Sequence, residues 1–84
     1  MAGTVRSKAY LAFLNALIEQ RNACKYSQAD LAKKLGKPAS FVGKYELGER
    51  RLDIIEVFVI LKAMDVDPLD FLSGTVKEIP ESLK

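Results

Sequence analysis

The stretch that decides the fold is SQADLAKKLGKPASFVGKYELGERRLD, residues 27–53. Leu31 and Leu35 lie four residues apart, and apolar residues recur at the same helical spacing after the turn, which predicts two short amphipathic helices. Gly36 lies between them, and glycine adopts the positive φ of a tight turn at little cost. Helices joined by so short a turn cross steeply and need a small residue at the crossing. Ala32 meets that need, so the segment predicts a tightly turned helix pair.

Start and stop signals extend this reading to the rest of the chain. Ser27 with Asp30 has the spacing of a capping box, and Asp53 is a suitable N-cap. Pro38 suits the first turn of a helix, and Gly48 suits the residue after its end. Strand-like alternation is absent, so we predict an all-α fold of five helices with short connections. The predicted helices span residues 7–23, 28–34, 38–46, 54–64 and 67–72.

No linker or repeat interrupts the helical part, so the chain reads as one small domain. We expect an N-terminal arm at residues 1–6, the helical domain at 7–72, and a C-terminal tail at 73–84. The tail begins where Ser73-Gly74 is expected to end the fifth helix.

Composition excludes most catalytic and metal-binding schemes. The chain has no histidine and a single cysteine, Cys24. Ser-His-Asp and Cys-His catalytic sites and Cys/His zinc sites are therefore excluded, and no pattern suggests another cofactor, a metal or a small-molecule ligand. No internal disulfide can form, no signal peptide is apparent, and no apolar run nears the roughly 20 residues of a membrane span. We expect a cytoplasmic protein that is not an enzyme, with no membrane association.

Charge is distributed unevenly along the chain. Residues 1–51 carry a balance of +6, and residues 52–84 carry −4. A basic first half suits a polyanion, and an acidic second half would be repelled from one. Charge alone leaves open the alternative of a merely uneven surface.

The tightly turned helix pair meets the requirements of a DNA-binding helix-turn-helix. Its second helix has an apolar face, and the opposite face carries Ala39, Ser40, Gly43 and Lys44. If the apolar face is core, the opposite face enters the major groove and reads base edges. Lys44 can donate to guanine, Ser40 can pair with several bases, and Ala39 can touch a thymine methyl. Gly43 either lets the helix approach the bases closely or is simply a tolerated small residue.

Phosphate contacts are expected beside that face. Gln28 lies at the start of the first helix of the pair, where free backbone N–H groups favour anions. Lys37, Arg50 and Arg51 add positive charge on the same side, although loop arginines can also be merely solvated.

The order Leu31-Ala32, Leu35-Gly36, Tyr45-Glu46 and Gly48-Glu49-Arg50-Arg51 resembles the phage-repressor and Cro-type (XRE) helix-turn-helix family. The resemblance covers about residues 10–72. It implies a five-helix lambda-repressor-like domain that binds operator DNA as a homodimer and regulates transcription. It also implies a structural ion pair between Arg21 and Glu46.

The chain departs from the family pattern at four positions. The family commonly has glycine at the position of Lys25 and an apolar residue at that of Lys37. It often has glutamine at the position of Ala39 and serine at that of Gly43. Three of the four lie on or beside the expected DNA-facing surface.

The fourth predicted helix is apolar on nearly all sides. Such a helix is either central in the domain or meets a partner along its outer edge. We expect a partner, namely a second copy of the chain bound through the fourth and fifth helices. The competing interpretation is a helix-turn-helix that acts as a protein-interaction module, such as an antitoxin, adaptor or coactivator, with weak or no specific DNA binding.

Overall fold

Five α-helices make up the regular structure of residues 7–75, the part of the chain that the computed structural model describes. That range contains no strand, so the all-α prediction is confirmed. The predicted N-terminal arm and the residues after Thr75 lie outside the described part. The helices are α1 (Lys8–Ala23), α2 (Gln28–Leu35), α3 (Ser40–Glu46), α4 (Ile54–Ala63) and α5 (Pro68–Thr75).

Capping boxes begin α2 and α4. The Ser27 hydroxyl accepts from the Asp30 N–H at 3.0 Å, and the Asp30 carboxylate accepts from the Ser27 N–H at 3.2 Å. Asp53 and Glu56 make the same exchange at 2.7 and 3.0 Å. Both predicted caps are confirmed, and Glu56 is an additional cap partner that the sequence analysis did not identify.

Four helices end in a residue with positive φ. These are Lys25 after α1 (φ 64°), Gly36 after α2 (φ 71°), Gly48 after α3 (φ 80°) and Asp65 after α4 (φ 59°). In each case that residue donates to the carbonyl three positions back, and the next residue donates five back. This double hydrogen bond is the Schellman motif. It explains the glycines that were predicted as helix ends, and it shows that Lys25 fills a position that favours glycine.

Replacing Lys25 with glycine should raise the free energy of unfolding. A side chain in the left-handed region costs about 1–2 kcal/mol, and part of the relief is offset by the greater freedom of glycine in the unfolded chain. We expect a net gain of about 0.5–1 kcal/mol. Asp65→Gly is the matched control, because aspartate tolerates this backbone region better and should gain less. Thermal unfolding of both variants measures the difference, and an unchanged or lower stability for Lys25→Gly would contradict the assignment of strain.

Two predicted helix bounds are wrong. The third helix begins at Ser40 rather than Pro38, because residues 38–41 form a four-residue turn in which the Phe41 N–H donates to the Pro38 carbonyl. The fifth helix continues to Thr75 rather than ending near Leu72. Gly74 is helical there and does not adopt positive φ.

The core lies where α1, α2, α3 and α4 meet, and α5 packs on α4. Tyr45 of α3 and Leu31 of α2 are essentially inaccessible to solvent, as is Ala32, the small residue of the turn motif. Phe13 of α1 meets Phe71 of α5 edge-on, with ring centroids 5.7 Å apart. The buried apolar residues are Leu14, Leu17, Leu31, Ala32, Phe41, Val42, Tyr45, Leu52, Val57, Ile60, Leu61, Met64 and Phe71.

Helix α4 is half buried. Val57, Ile60 and Leu61 face the core, whereas Ile55 is 63% exposed and Val59 is 50% exposed. The helix is therefore not fully enclosed by the described domain, and its apolar outer face is open to solvent.

Candidate nucleic-acid interface

Helix α3 presents two chemically different faces. Phe41, Val42 and Tyr45 are buried against the other helices. On the opposite side Ser40 and Lys44 are exposed. The helix is fixed by its apolar side, and its outward side is free for contact with another molecule.

The outward face is small and smooth. Ala39, just before the helix, is exposed, and Gly43 in the middle of the helix is partly exposed. A Cβ atom added at Gly43 would lie 3.4 Å from the Gln28 Oε1 atom, which is an ordinary van der Waals distance. The four residues predicted to read bases therefore share one surface, and that surface adjoins the start of α2.

An ion pair joins the end of α1 to the end of α3. The Arg21 Nε donates to Glu46 Oε2 at 2.7 Å, and Nη2 donates to Oε1 at 3.1 Å. The Arg21 Nη1 also donates to the Tyr26 carbonyl at 2.9 Å. The side chains are only 12% and 6% exposed, and the hydrogen bonds to Glu46 raise the pKa of the arginine.

Gln28 is anchored by the same carboxylate. Its Nε2 donates to Glu46 Oε1 at 2.8 Å, while its backbone lies at the first position of α2. Glu46 thus holds Arg21 on one side and Gln28 on the other. The anchoring keeps the Gln28 side chain beside α3 and leaves its second amide hydrogen free.

Two of the cations predicted to bind phosphate, Arg50 and Lys37, lie close to the Phe41 ring. The Arg50 guanidinium lies 4.9 Å from the ring centroid, and the Lys37 ammonium lies 5.4 Å from it. Arg50 also forms a two-pronged ion pair with Glu56, with Nη2–Oε2 and Nη1–Oε1 distances of 2.7 and 3.1 Å. That pairing raises the pKa of Arg50 and lowers the pKa of Glu56.

Arg51 has different surroundings. Its guanidinium lies 4.8 Å from the Tyr10 ring centroid, and the Tyr10 hydroxyl accepts from the Leu52 N–H at 3.1 Å. The structure shows no acidic partner for Arg51 among residues 7–75. Within the described residues, Arg50 is therefore paired with a carboxylate, whereas the charge of Arg51 is uncompensated.

Comparison with known proteins identifies the family to which this fold belongs. A family model described as helix-turn-helix (HTH_3) matches residues 17–71. Among solved structures, an XRE-family-like protein from Pseudomonas syringae pv. tomato str. DC3000 is 39% identical, with a TM-score of 0.83. The match covers 94% of this chain and 96% of the other. Among curated proteins, no significant match is found.

The chain belongs to the XRE helix-turn-helix family. This is a family of DNA-binding regulators, and α2 and α3 are its helix-turn-helix. Within residues 7–75 of this XRE protein, no helix is long and apolar enough to cross a membrane.

Three residues of this XRE surface escaped the sequence analysis. Phe41 and Tyr10 were given no role at this surface, and each carries an arginine on its ring. Glu56 was also given no role. The Asp53-x-x-Glu56 spacing, which matches a capping box, was the available signal for part of its role.

Changing Gly43 of this XRE protein to alanine tests whether the glycine allows close approach to the bases or is simply a tolerated small residue. The structure has room for the methyl group, and alanine is favoured over glycine inside a helix by about 1 kcal/mol. We expect stability to rise by about 0.5–1 kcal/mol in chemical unfolding. If the glycine serves close approach to base edges, duplex affinity falls in the same variant. Unchanged affinity would leave Gly43 as a tolerated small residue.

Proposed function

We propose that this XRE-family protein is a sequence-specific regulator of transcription, of the repressor or controller type, that binds double-stranded DNA as a homodimer. The observation that carries the proposal is the exposed outward face of α3, beside which Gln28 is anchored, while Arg51 in the loop that follows the helix has no acidic partner among the described residues. A buried apolar side holds this helix against the domain, so its outward side can enter a major groove as a rigid unit.

Base reading is proposed for the four outward residues. The Lys44 ammonium would donate to guanine O6 or N7, and the Ser40 hydroxyl can donate or accept. Ala39 would contact a thymine methyl, and Gly43 would let the helix backbone approach the base edges. Only Ser40 and Lys44 among the four have side chains that can form hydrogen bonds with bases. So few base contacts imply that a single copy of the protein binds DNA with low affinity.

Phosphate contact is proposed for Gln28, Lys37, Arg50 and Arg51. Gln28 keeps one amide hydrogen free beside the N-terminal end of α2, where the helix dipole favours an anion. Lys37 and Arg51 have no carboxylate partner among the described residues. Arg50 is paired with Glu56 in the free protein, so its contact requires an exchange of partners.

Salt dependence of duplex binding tests this function. On a mixed-sequence duplex Lys44 would donate to a phosphate where no matching guanine is in reach. Lys37, Lys44 and Arg51 of two protomers then make six cations, and each should contribute about −0.9 to the slope of log K against log salt. We expect a slope of about −5 for a dimer on a short mixed-sequence duplex. A slope near zero, or no binding at low salt, would reject the proposal.

A second function is favoured by one specific observation. Leu35, Phe41, Ile55 and Val59 line an open apolar groove between α2, α3 and α4. Such a groove suits a protein-interaction module, for example an antitoxin, adaptor or coactivator. That function predicts a protein partner on the groove and no steep salt dependence toward duplex DNA.

The homodimer is proposed to form through α4 and α5. Ile55 and Val59 project from α4 with at least half of each side chain exposed, and Leu69 of α5 is 76% exposed. Burial of such residues against a second copy is favourable by about 25 cal/mol for each Å². A two-fold axis would place two α3 helices about 34 Å apart, one turn of duplex.

Charged substitutions on this surface should dissociate the dimer. We expect Val59→Glu and Leu69→Glu to give monomers in sedimentation at micromolar protein, with little change in unfolding because both positions are exposed. Leu11→Glu on α1, also exposed and apolar, is the matched control and should leave the dimer intact. A wild-type monomer, or a dimer unaffected by both changes, would contradict the interface.

A further inference from the structure

Arg50 is held on three sides. Its two terminal nitrogens donate to both oxygens of Glu56, and Nη1 also donates to the Arg51 carbonyl at 3.2 Å. The face of the guanidinium lies over the Phe41 ring. Arginine has five N–H donors, so these contacts occupy three of them and leave two for any other partner. The side chain is nevertheless 40% exposed, which keeps it within reach of a phosphate.

Glu56 is in turn fixed by the backbone. It belongs to the first turn of α4, and its Oε1 atom accepts from the Asp53 N–H at 3.0 Å. The carboxylate therefore cannot swing away without breaking a helix cap. The pair is electrically neutral as a unit, although it stands in the loop that directly follows α3.

We propose that Glu56 determines specificity by competing with DNA phosphate for Arg50. This inference rests on the proposed DNA-binding function. Phosphate contacts attract any duplex equally, whereas base contacts discriminate between sequences. A carboxylate that neutralises one phosphate-facing cation lowers the attraction to all duplexes and leaves the reading face of α3 unchanged. The ratio of specific to non-specific binding is then set by the few base contacts.

The test is Glu56→Gln, which keeps an oxygen for the Asp53 cap and removes the charge. Binding to a short mixed-sequence duplex is measured between about 50 and 200 mM salt. We expect the slope to steepen by about 0.9 for each protomer bound, and affinity at about 0.1 M salt to rise by up to about tenfold for each protomer. Thermal unfolding of the variant verifies that the helix cap is intact.

Glu49→Gln is the matched control. Glu49 lies in the same loop, is exposed, and makes no side-chain hydrogen bond within the described structure. The substitution Glu49→Gln also removes one negative charge but does not release Arg50, so it should change the slope of log K against log salt far less. Arg50→Gln should weaken binding less in the wild type, where Glu56 competes for the guanidinium, than in the Glu56→Gln background, where it should cancel the gain.

Two outcomes would overturn the inference. One is an equal salt slope for Glu56→Gln and Glu49→Gln, which would show that the effect comes from the change in net charge and not from the release of Arg50. The other is an equal loss from Arg50→Gln in both backgrounds, which would mean that Arg50 reaches phosphate regardless of Glu56. Failure of the proposed function differs from both, because the wild type itself would then show no salt-dependent duplex binding.

Discussion

Replacing Glu46 with alanine should lower the free energy of unfolding by about 3 kcal/mol or more, because it leaves a largely buried guanidinium without its charge partner. Arg21 would keep only its hydrogen bond to the Tyr26 carbonyl. The carboxylate is 6% exposed and ties together the ends of α1 and α3. Gln28 would lose its anchor in the same variant.

A double-mutant cycle isolates this pair. Arg21→Met removes the charge and keeps apolar bulk, and combining it with Glu46→Ala should cost less than the two single changes together. Urea unfolding of the four proteins measures the coupling. Glu46→Gln is the conservative control, because its amide oxygen can still accept from Arg21, and we expect a smaller loss. Simple additivity of the two single changes would show that the ion pair is not energetically coupled.

Reversing the charge of Lys44 and Arg51 together should weaken binding of the dimer to a duplex by more than about 1,000-fold at about 0.1 M salt. A dimer loses four cations, and each costs close to tenfold there, because affinity scales as about the −0.9 power of salt for each phosphate contact. Both side chains are exposed, so Lys44→Glu with Arg51→Glu should leave unfolding nearly unchanged. Fluorescence anisotropy with a labelled mixed-sequence duplex measures the loss.

The control for this reversal is Lys33→Glu. Lys33 is an exposed lysine on α2, and its reversal changes net charge without touching the residues of the proposed DNA-facing surface or of the proposed dimer interface. We expect a loss of less than about threefold, in keeping with a screened long-range effect. Comparable losses at Lys44 and Lys33 would mean that the DNA-facing surface is assigned to the wrong side of the domain.

Local signals in the sequence predicted most of the fold. The capping box at Ser27 and the positive-φ glycines at Gly36 and Gly48 depend on residues within a few positions of each other. Apolar spacing likewise located the buried face of α3. Such features depend on local backbone chemistry, so a single sequence reveals them.

The wrong helix bounds have a local explanation as well. Pro38 fits the first turn of a helix, but here its carbonyl closes only a single four-residue turn that leads into α3. Ser73 was read as part of a stop signal, yet its hydroxyl donates to the Asp70 carbonyl inside a continuing helix. A serine that hydrogen-bonds to the preceding turn can either end a helix or lie within one, and the sequence alone does not distinguish the two cases.

The residues that contact the two loop arginines could be identified only from the tertiary structure. Arg50 and Arg51 are adjacent in sequence and look equivalent, but one meets Glu56 and the other lies on Tyr10 of α1. Tyr10 is distant in sequence and is brought there only by the packing of the helices. The prediction that both arginines face phosphate remains a proposal, and the structure adds the competitor that makes them unequal.

Selection of bound sequences from a random duplex library tests the central claim most directly. A homodimer that reads DNA with α3 should enrich an inverted repeat whose half-sites are centred about 34 Å apart, one turn of duplex. Lys44→Ala should then relax the preference at one position in each half-site, at which Lys44 reads a guanine. Recovery of a library with no enriched sequence, or of sites without two-fold symmetry, would contradict sequence-specific binding by a dimer.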